Sequence, residues 1–142
     1  MIGIHILLVE DNEGDILLTT ETLQDSKIIN KVTTVRNGKE ALDFVFKIGK
    51  FSKSTTPDLI LLDINLPLKS GHEVLEIVKK DARTSHIPVI ILTTSSSQRD
   101  IQLSSKNNAN SFITKPVEMN DFLGSILKIE GFWLNIVHLP KA

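Results

Sequence analysis

The chain has 142 residues, 41% of them apolar and 23% charged, and its 16 basic and 17 acidic side chains leave a formal net charge of -1. That length suits one domain without a second output module, and the balanced charge argues against a dedicated nucleic-acid binder, which needs a basic face. The lack of cysteine removes disulfides, thiolate metal sites and cysteine nucleophiles, and with neither a membrane-length apolar run nor a signal-peptide n-region, a soluble cytoplasmic protein is expected.

Ile4–Val9 is the first short apolar run, of the kind that is buried on both faces in a parallel sheet. Ile16, Leu17, Thr20 and Leu23 then suggest a helix. Lys31–Val35 mixes polar and apolar residues, as an edge strand does. Asn37 stands three residues before Glu40, a loose capping box, and Ala41, Leu42 and Val45 follow at helical spacing. The loop from Gly49 to Pro57 is rich in lysine, serine and threonine and is predicted to be solvated. Leu59–Leu62 is a second buried strand. Ser70 and Glu73 have the standard capping-box spacing ahead of the stripe Val74, Leu75 and Val78. Ile87–Leu92 is the third buried strand, and Ser97 with Asp100 opens a weaker, polar helix before Asn107. Ser111–Thr114 is a second half-polar strand, and Met119, Phe122, Leu123, Ile126 and Leu127 mark the last helix. Residues 1–130 are therefore expected to form the domain, with residues 131–142 as an apolar tail.

Five strands alternating with five helices imply parallel βαβ units with right-handed crossovers. Three buried strands flanked by two half-polar ones fit an α/β, flavodoxin-like doubly wound sheet of strand order 2-1-3-4-5.

Sheets of this kind bind ligands beyond the carboxyl ends of their strands, and those ends are charged here. The first strand runs into Glu10-Asp11, the third into Asp63, the fourth into Thr93-Thr94 and the fifth into Lys115-Pro116. Two carboxylates ~4 Å apart repel by about 4 kcal/mol at an effective dielectric of about 20, so the cluster needs a cation or a shared proton. An oxygen-only donor set favours a hard ion such as Mg2+. Lys115 and the Thr93 hydroxyl suit phosphate oxygens, and Asp63, central on the rim, is the best candidate nucleophile for an acyl phosphate. Taken singly, each residue has a plainer reading. Asp11 or Asp15 could cap the first helix, Thr93-Thr94 could be a polar turn, and Lys115 could be a solvated surface lysine. Their joint occurrence at four strand ends outweighs these.

The set Leu8-Val9-Glu10-Asp11-Asn12, Asp58 to Asp63, Leu66-Pro67 with Gly71, Leu92-Thr93-Thr94 and Ile113-Thr114-Lys115-Pro116 resembles the receiver domains of two-component response regulators, from about Ile4 to Leu127. The resemblance implies that Asp63 accepts a phosphoryl group from a histidine kinase. It implies that Asp11, Asp63 and the backbone carbonyl of Asn65 ligate Mg2+, with Glu10 acting through metal-bound water. Thr93 and Lys115 would bind phosphate oxygens, while Asn65 and Thr94 would flank the phosphate and tune its hydrolysis. Phe112, where many receivers carry tyrosine, would turn inward as Thr93 moves. The Lys115–Pro116 peptide is expected to be cis, and Asn108 replaces a common glycine at a left-handed position. Asp15, Leu17 and Leu18 lie on the first helix, beside the acidic rim, where receivers commonly dock the phosphohistidine-bearing bundle.

Glu10-Asp11-Asn12-Glu13-Gly14-Asp15, the Gly49 to Pro57 loop and the tail around Phe132-Trp133-Leu134 look like the single-domain regulators associated with bacterial phytochromes. The kinase would then be a light-sensing one, and the last helix, fifth strand and tail would form a homodimer; the alternative is a tail folded back on its own domain. His5, His72, His86 and His138 have no metal spacing. Two other functions compete. A phosphorylation-independent scaffold would have no need of the acidic set, and a small-molecule phosphatase would need an acid two residues beyond the nucleophile, where Asn65 stands. A flavin or nucleotide carrier would want a phosphate loop where the acidic Asp11-Asn12-Glu13 stands.

Overall fold

The computed structural model describes residues 3–25, 29–93 and 111–127, together with positions 102, 106, 108 and 109. Strand β1 (Ile4–Val9) leads into helix α1 (Glu13–Gln24), followed by β2 (Ile29–Val35), α2 (Gly38–Val45), β3 (Leu59–Asp63), α3 (Gly71–Lys80), β4 (Val89–Thr93), β5 (Ser111–Thr114) and α4 (Met119–Leu127). The polar helix expected to open at Ser97 lies outside the described residues. All strand pairs are parallel, and the order is β2-β1-β3-β4-β5, the doubly wound arrangement expected.

Every residue of β1, β3 and β4 is buried, while β5 carries exposed Phe112 and Thr114. Successive side chains of a strand point to opposite faces, and the core divides accordingly. Ile4, Ile6 and Leu8 pack with Leu59, Leu61, Ile90 and Leu92 against Leu23 of α1 and Phe122 of α4. Leu7 and Val9 pack with Ile60, Leu62 and Ile91 against α2 and α3. The central strands are thereby held at fixed height, so their carboxyl ends form one rigid edge. β4 starts two residues later than expected, at Val89, because Pro88 has no N–H for the ladder; its carbonyl still accepts from Ile60 N at 3.0 Å.

The helix starts follow from side-chain caps. Ser70 and Glu73 form a complete capping box, each side chain accepting the other's backbone N–H at 3.2 Å. Asn37 accepts from Glu40 N at 2.8 Å, but the Glu40 carboxylate takes the N–H of Arg36, one residue before the cap. Helix α1 is capped by Asn12, which accepts from Asp15 N at 2.9 Å; neither Asp11 nor Asp15 supplies the cap oxygen. Packed on the sheet through Leu23, α1 buries Thr19 and Leu23 with Ile16 half-buried and turns Leu17 outward, 58% exposed, correcting its place in the expected stripe. The loop from Gly49 to Pro57 is largely exposed, as expected, but it is anchored at two points. Its Phe51 ring meets Phe44 edge-on at 5.3 Å and Ser54 Oγ donates to the Phe44 carbonyl at 2.9 Å, pinning the loop to α2.

Candidate functional site

The residues that end β1, β3, β4 and β5 meet on one rim. Glu10 follows β1, fixed by its N–H to the Val35 carbonyl at 3.1 Å, and is fully buried. Asp63 is the last residue of β3, and Thr93 the last of β4; both are buried. Asp11 is exposed at the mouth. Oxygen atoms of Glu10, Asp11 and Asp63 lie within 4.8 Å of one another. A Cβ on Gly71 would fall 2.2 Å from the Asp63 carbonyl oxygen, so only glycine lets α3 begin this close to the rim.

Lys115 reaches into this cluster from the end of β5, where its N–H bonds the Thr93 carbonyl at 2.7 Å and its peptide to Pro116 is cis. The side chain is 7% exposed, and Nζ stands 2.8 Å from Glu10 Oε2, 2.9 Å from Asp15 Oδ2 and 3.3 Å from Asp63 Oδ1. Burial opposes its charge, but hydrogen bonds to Glu10 and Asp15 and the charges of Asp63 and Glu10 outweigh it and hold the ammonium above its ordinary value. Asp63 moves the opposite way for a carboxyl. Burial first and the Glu10 charge second push it up to about 6, against the pull of Lys115.

Three carboxylates thus share one ammonium, with a fourth, Asp11, beside Glu10 and Asp63, and the excess negative charge is what a hard cation neutralises. The donors are all oxygen, with no histidine or cysteine in the group, so the residues present fit a divalent ion of the Mg2+ class. Of the other residues singled out from the sequence, Asn65 is exposed two residues beyond Asp63, Phe112 on β5 is 40% exposed, and Asn108 has a left-handed φ of 66°. Thr94 and the tail residues Phe132, Trp133 and Leu134, on which the expected homodimer rests, lie outside the described residues.

Sequence reasoning put Asp15 beside the rim, as a possible cap or docking residue, but missed its contact with Lys115. The place of Asp15 in the first turn of the helix that leaves the end of β1, three residues beyond Asn12, is the signal that could have placed it toward the strand ends. His5 sits away from the rim, in the span of β1 paired with β2, with Nε2 2.9 Å from Thr33 Oγ1 and Nδ1 3.3 Å from Thr55 Oγ1. Among the described residues no helix is long and apolar enough to cross a membrane.

Comparison with known proteins accords with this geometry. The model of the response regulator receiver domain matches residues 6–127, and the chain belongs to that family of signalling proteins. Response regulator Rcp1 of Synechocystis sp. is 40% identical over 137 residues, spanning 96% of this chain and 93% of that protein. A structure of the Mn2+-bound form of Rcp1 superposes with a TM-score of 0.78 at 39% identity, covering 96% of this chain and 99% of that one. The phosphorylated cyanobacterial phytochrome response regulator RcpA gives 0.80 at 41% identity, covering 98% and 99%. The bacteriophytochrome response regulator AtBRR gives 0.84 at 37% identity, covering 99% of both chains. This receiver is therefore related to the phytochrome response regulators.

Proposed function

We propose that this receiver accepts a phosphoryl group on Asp63 from a phytochrome-like sensor histidine kinase, in a Mg2+-dependent reaction, and signals through Thr93 and Phe112. The observation that carries the reading is the buried Asp63 carboxylate held 3.3 Å from a buried ammonium and beside two further carboxylates. In the reaction an Asp63 carboxylate oxygen attacks the phosphorus of the phosphohistidine. The new O–P bond forms as the N–P bond breaks, and its electron pair returns to the imidazole. Hydrolysis of the acyl phosphate by water regenerates the carboxylate.

Asp11, Asp63 and the Asn65 carbonyl would hold the metal, with Glu10 through a water, and the bound ion supplies charge neutralisation for the transferring group. Lys115 donates an N–H to a phosphoryl oxygen, and the Thr93 hydroxyl moves to donate to another. The space left by Thr93 lets Phe112 turn inward, changing the surface that a partner reads. Asn65 and Thr94 flank the phosphate and govern how readily water attacks. Leu17 and Leu18, 58% and 52% exposed on the helix beside the rim, support docking of the kinase bundle there. A phosphorylation-independent scaffold is disfavoured by the buried charges, which cost folding energy and serve it no purpose.

The test is intact-mass spectrometry after incubation with Mg2+ and a small acyl phosphate. Wild type should gain one phosphoryl group and Asp63→Asn none. Labelling of both, or at another residue, would refute the assignment of Asp63. An unlabelled wild type that binds Mg2+ and beryllofluoride without any change at Phe112 would favour the scaffold.

A further inference from the structure

Phosphoryl transfer as described leaves one rim carboxylate without a task. Asp15 is the third residue of α1, and its backbone N–H is taken by the Asn12 cap at 2.9 Å. In a capping box the acidic side chain at this position folds back onto the N–H of the cap residue. Here that N–H goes to Glu10 Oε1 at 3.2 Å, and the Asp15 carboxylate extends to Lys115 Nζ at 2.9 Å, joining residues 100 positions apart.

An ammonium has three N–H donors, and three carboxylates surround this one. Glu10 and Asp15 make the shorter contacts, 2.8 and 2.9 Å, and Asp63 the longer, 3.3 Å. The Glu10 side chain is 1% exposed and Asp15 31%, so Asp15 is the partner whose lost bond water replaces at least cost.

We propose that Asp15 is a positioning residue acting through Lys115: it is the resting counter-ion of the ammonium, strengthening divalent-cation binding on the rim and weakening the hold of Lys115 on phosphoryl oxygens. The inference rests on the reading of Asp63 as phosphoacceptor. Its physical basis is charge balance. A carboxylate paired to Lys115 offsets the positive charge that would repel a metal ion, and it competes with the phosphoryl group for the same donors. Loss of that charge moves the two affinities in opposite directions.

The experiment compares wild type with Asp15→Asn, which keeps the backbone N–H used by the cap. Mn2+ binding is titrated by the electron paramagnetic resonance of the free ion. Beryllofluoride, an acyl-phosphate mimic, is titrated at saturating Mg2+ by fluorine NMR. The Mn2+ dissociation constant should rise about fivefold and the half-saturating beryllofluoride concentration fall about threefold, the scale of one partly screened charge. A damaged first turn of α1 would weaken both affinities, and an idle Asp15 would move neither; either result overturns the proposal. A wild type that binds both ions yet takes no phosphoryl group from an acyl phosphate would instead refute the reading of Asp63, with the Asp15 comparison still decided by the two titrations.

Discussion

Asp63→Asn, which removes the proposed phosphoacceptor, is expected to make the metal-free protein more stable at neutral pH. Asp63 is 5% exposed, and burial and the neighbouring Glu10 raise its carboxyl from 3.8 to about 6. Between those two values the folded chain binds more protons than the unfolded one. Stability therefore falls as pH rises through the window, and the whole penalty is in place at pH 7. A rise of that size corresponds to about 3 kcal/mol. Asparagine has the same shape, can still accept from Lys115 and carries no charge, so the variant should recover most of this. For a domain of this size that is about 6–10 °C in Tm. The gain should shrink to a small fraction at about pH 4, where the wild-type carboxyl is protonated in the fold. Saturating Mg2+ should also narrow it, because the cation binds the wild type more tightly than the variant. Urea unfolding in a chelator, followed by circular dichroism at both pH values, measures the difference directly. A variant less stable than wild type at neutral pH, or a gain that does not shrink on acidification, would refute the argument that Asp63 is held ionised at a cost.

Three further outcomes are expected. Gly71→Ala should cost about 1–3 kcal/mol and slow phosphorylation of Asp63, because the new Cβ would sit 2.2 Å from the Asp63 carbonyl oxygen and 2.7 Å from Ile64 Cα, neither of which can swing aside; urea unfolding and acyl-phosphate labelling rates report the two effects. Leu23→Ala should destabilise by about 2–5 kcal/mol and Leu17→Ala by less than about 0.5 kcal/mol, since the first is fully buried and the second faces water; equal costs in thermal unfolding would contradict the phase of α1. Removal of residues 132–142 should weaken self-association in sedimentation velocity if the homodimer expected from the resemblance is built on the tail, and an unchanged dimer would move that interface to the domain body.

Much of the fold was legible because its signals are local. Short, nearly continuous apolar runs such as Ile4–Val9 and Leu59–Leu62, bounded by polar residues, fit strands covered on both sides, and β1 and β3 are buried throughout. Ser70 and Glu73 announce a helix start within four residues, and the capping box is complete. The candidate rim was legible for a related reason: charged residues directly after apolar strands, in a doubly wound sheet, have to gather at its carboxyl edge. Elements whose outcome depends on how a helix or loop packs were harder to read. The polar composition of Gly49 to Pro57 hid the one aromatic that anchors it, Phe51, whose ring meets Phe44 of α2 where the chain turns back on that helix. The choice between Leu17 and its neighbours for the buried face of α1 was set by how the helix packs on the sheet through Leu23.

The amino-acid sequence by itself determined the alternation of strands and helices, the order of the sheet and the kinds of side chain at each strand end, since period, capping and branching act over a few residues. Only the tertiary structure decided that the Asp15 carboxylate would reach Lys115 while its N–H stayed on the Asn12 cap, that Leu17 and Leu18 would stay in water, and that burial beside Glu10 would lift Asp63 to about 6. Those outcomes depend on contacts up to 105 residues apart, whose distances are set by how the central strands stack. Electrostatic energy depends on separation and burial, and neither quantity exists until the chain has folded.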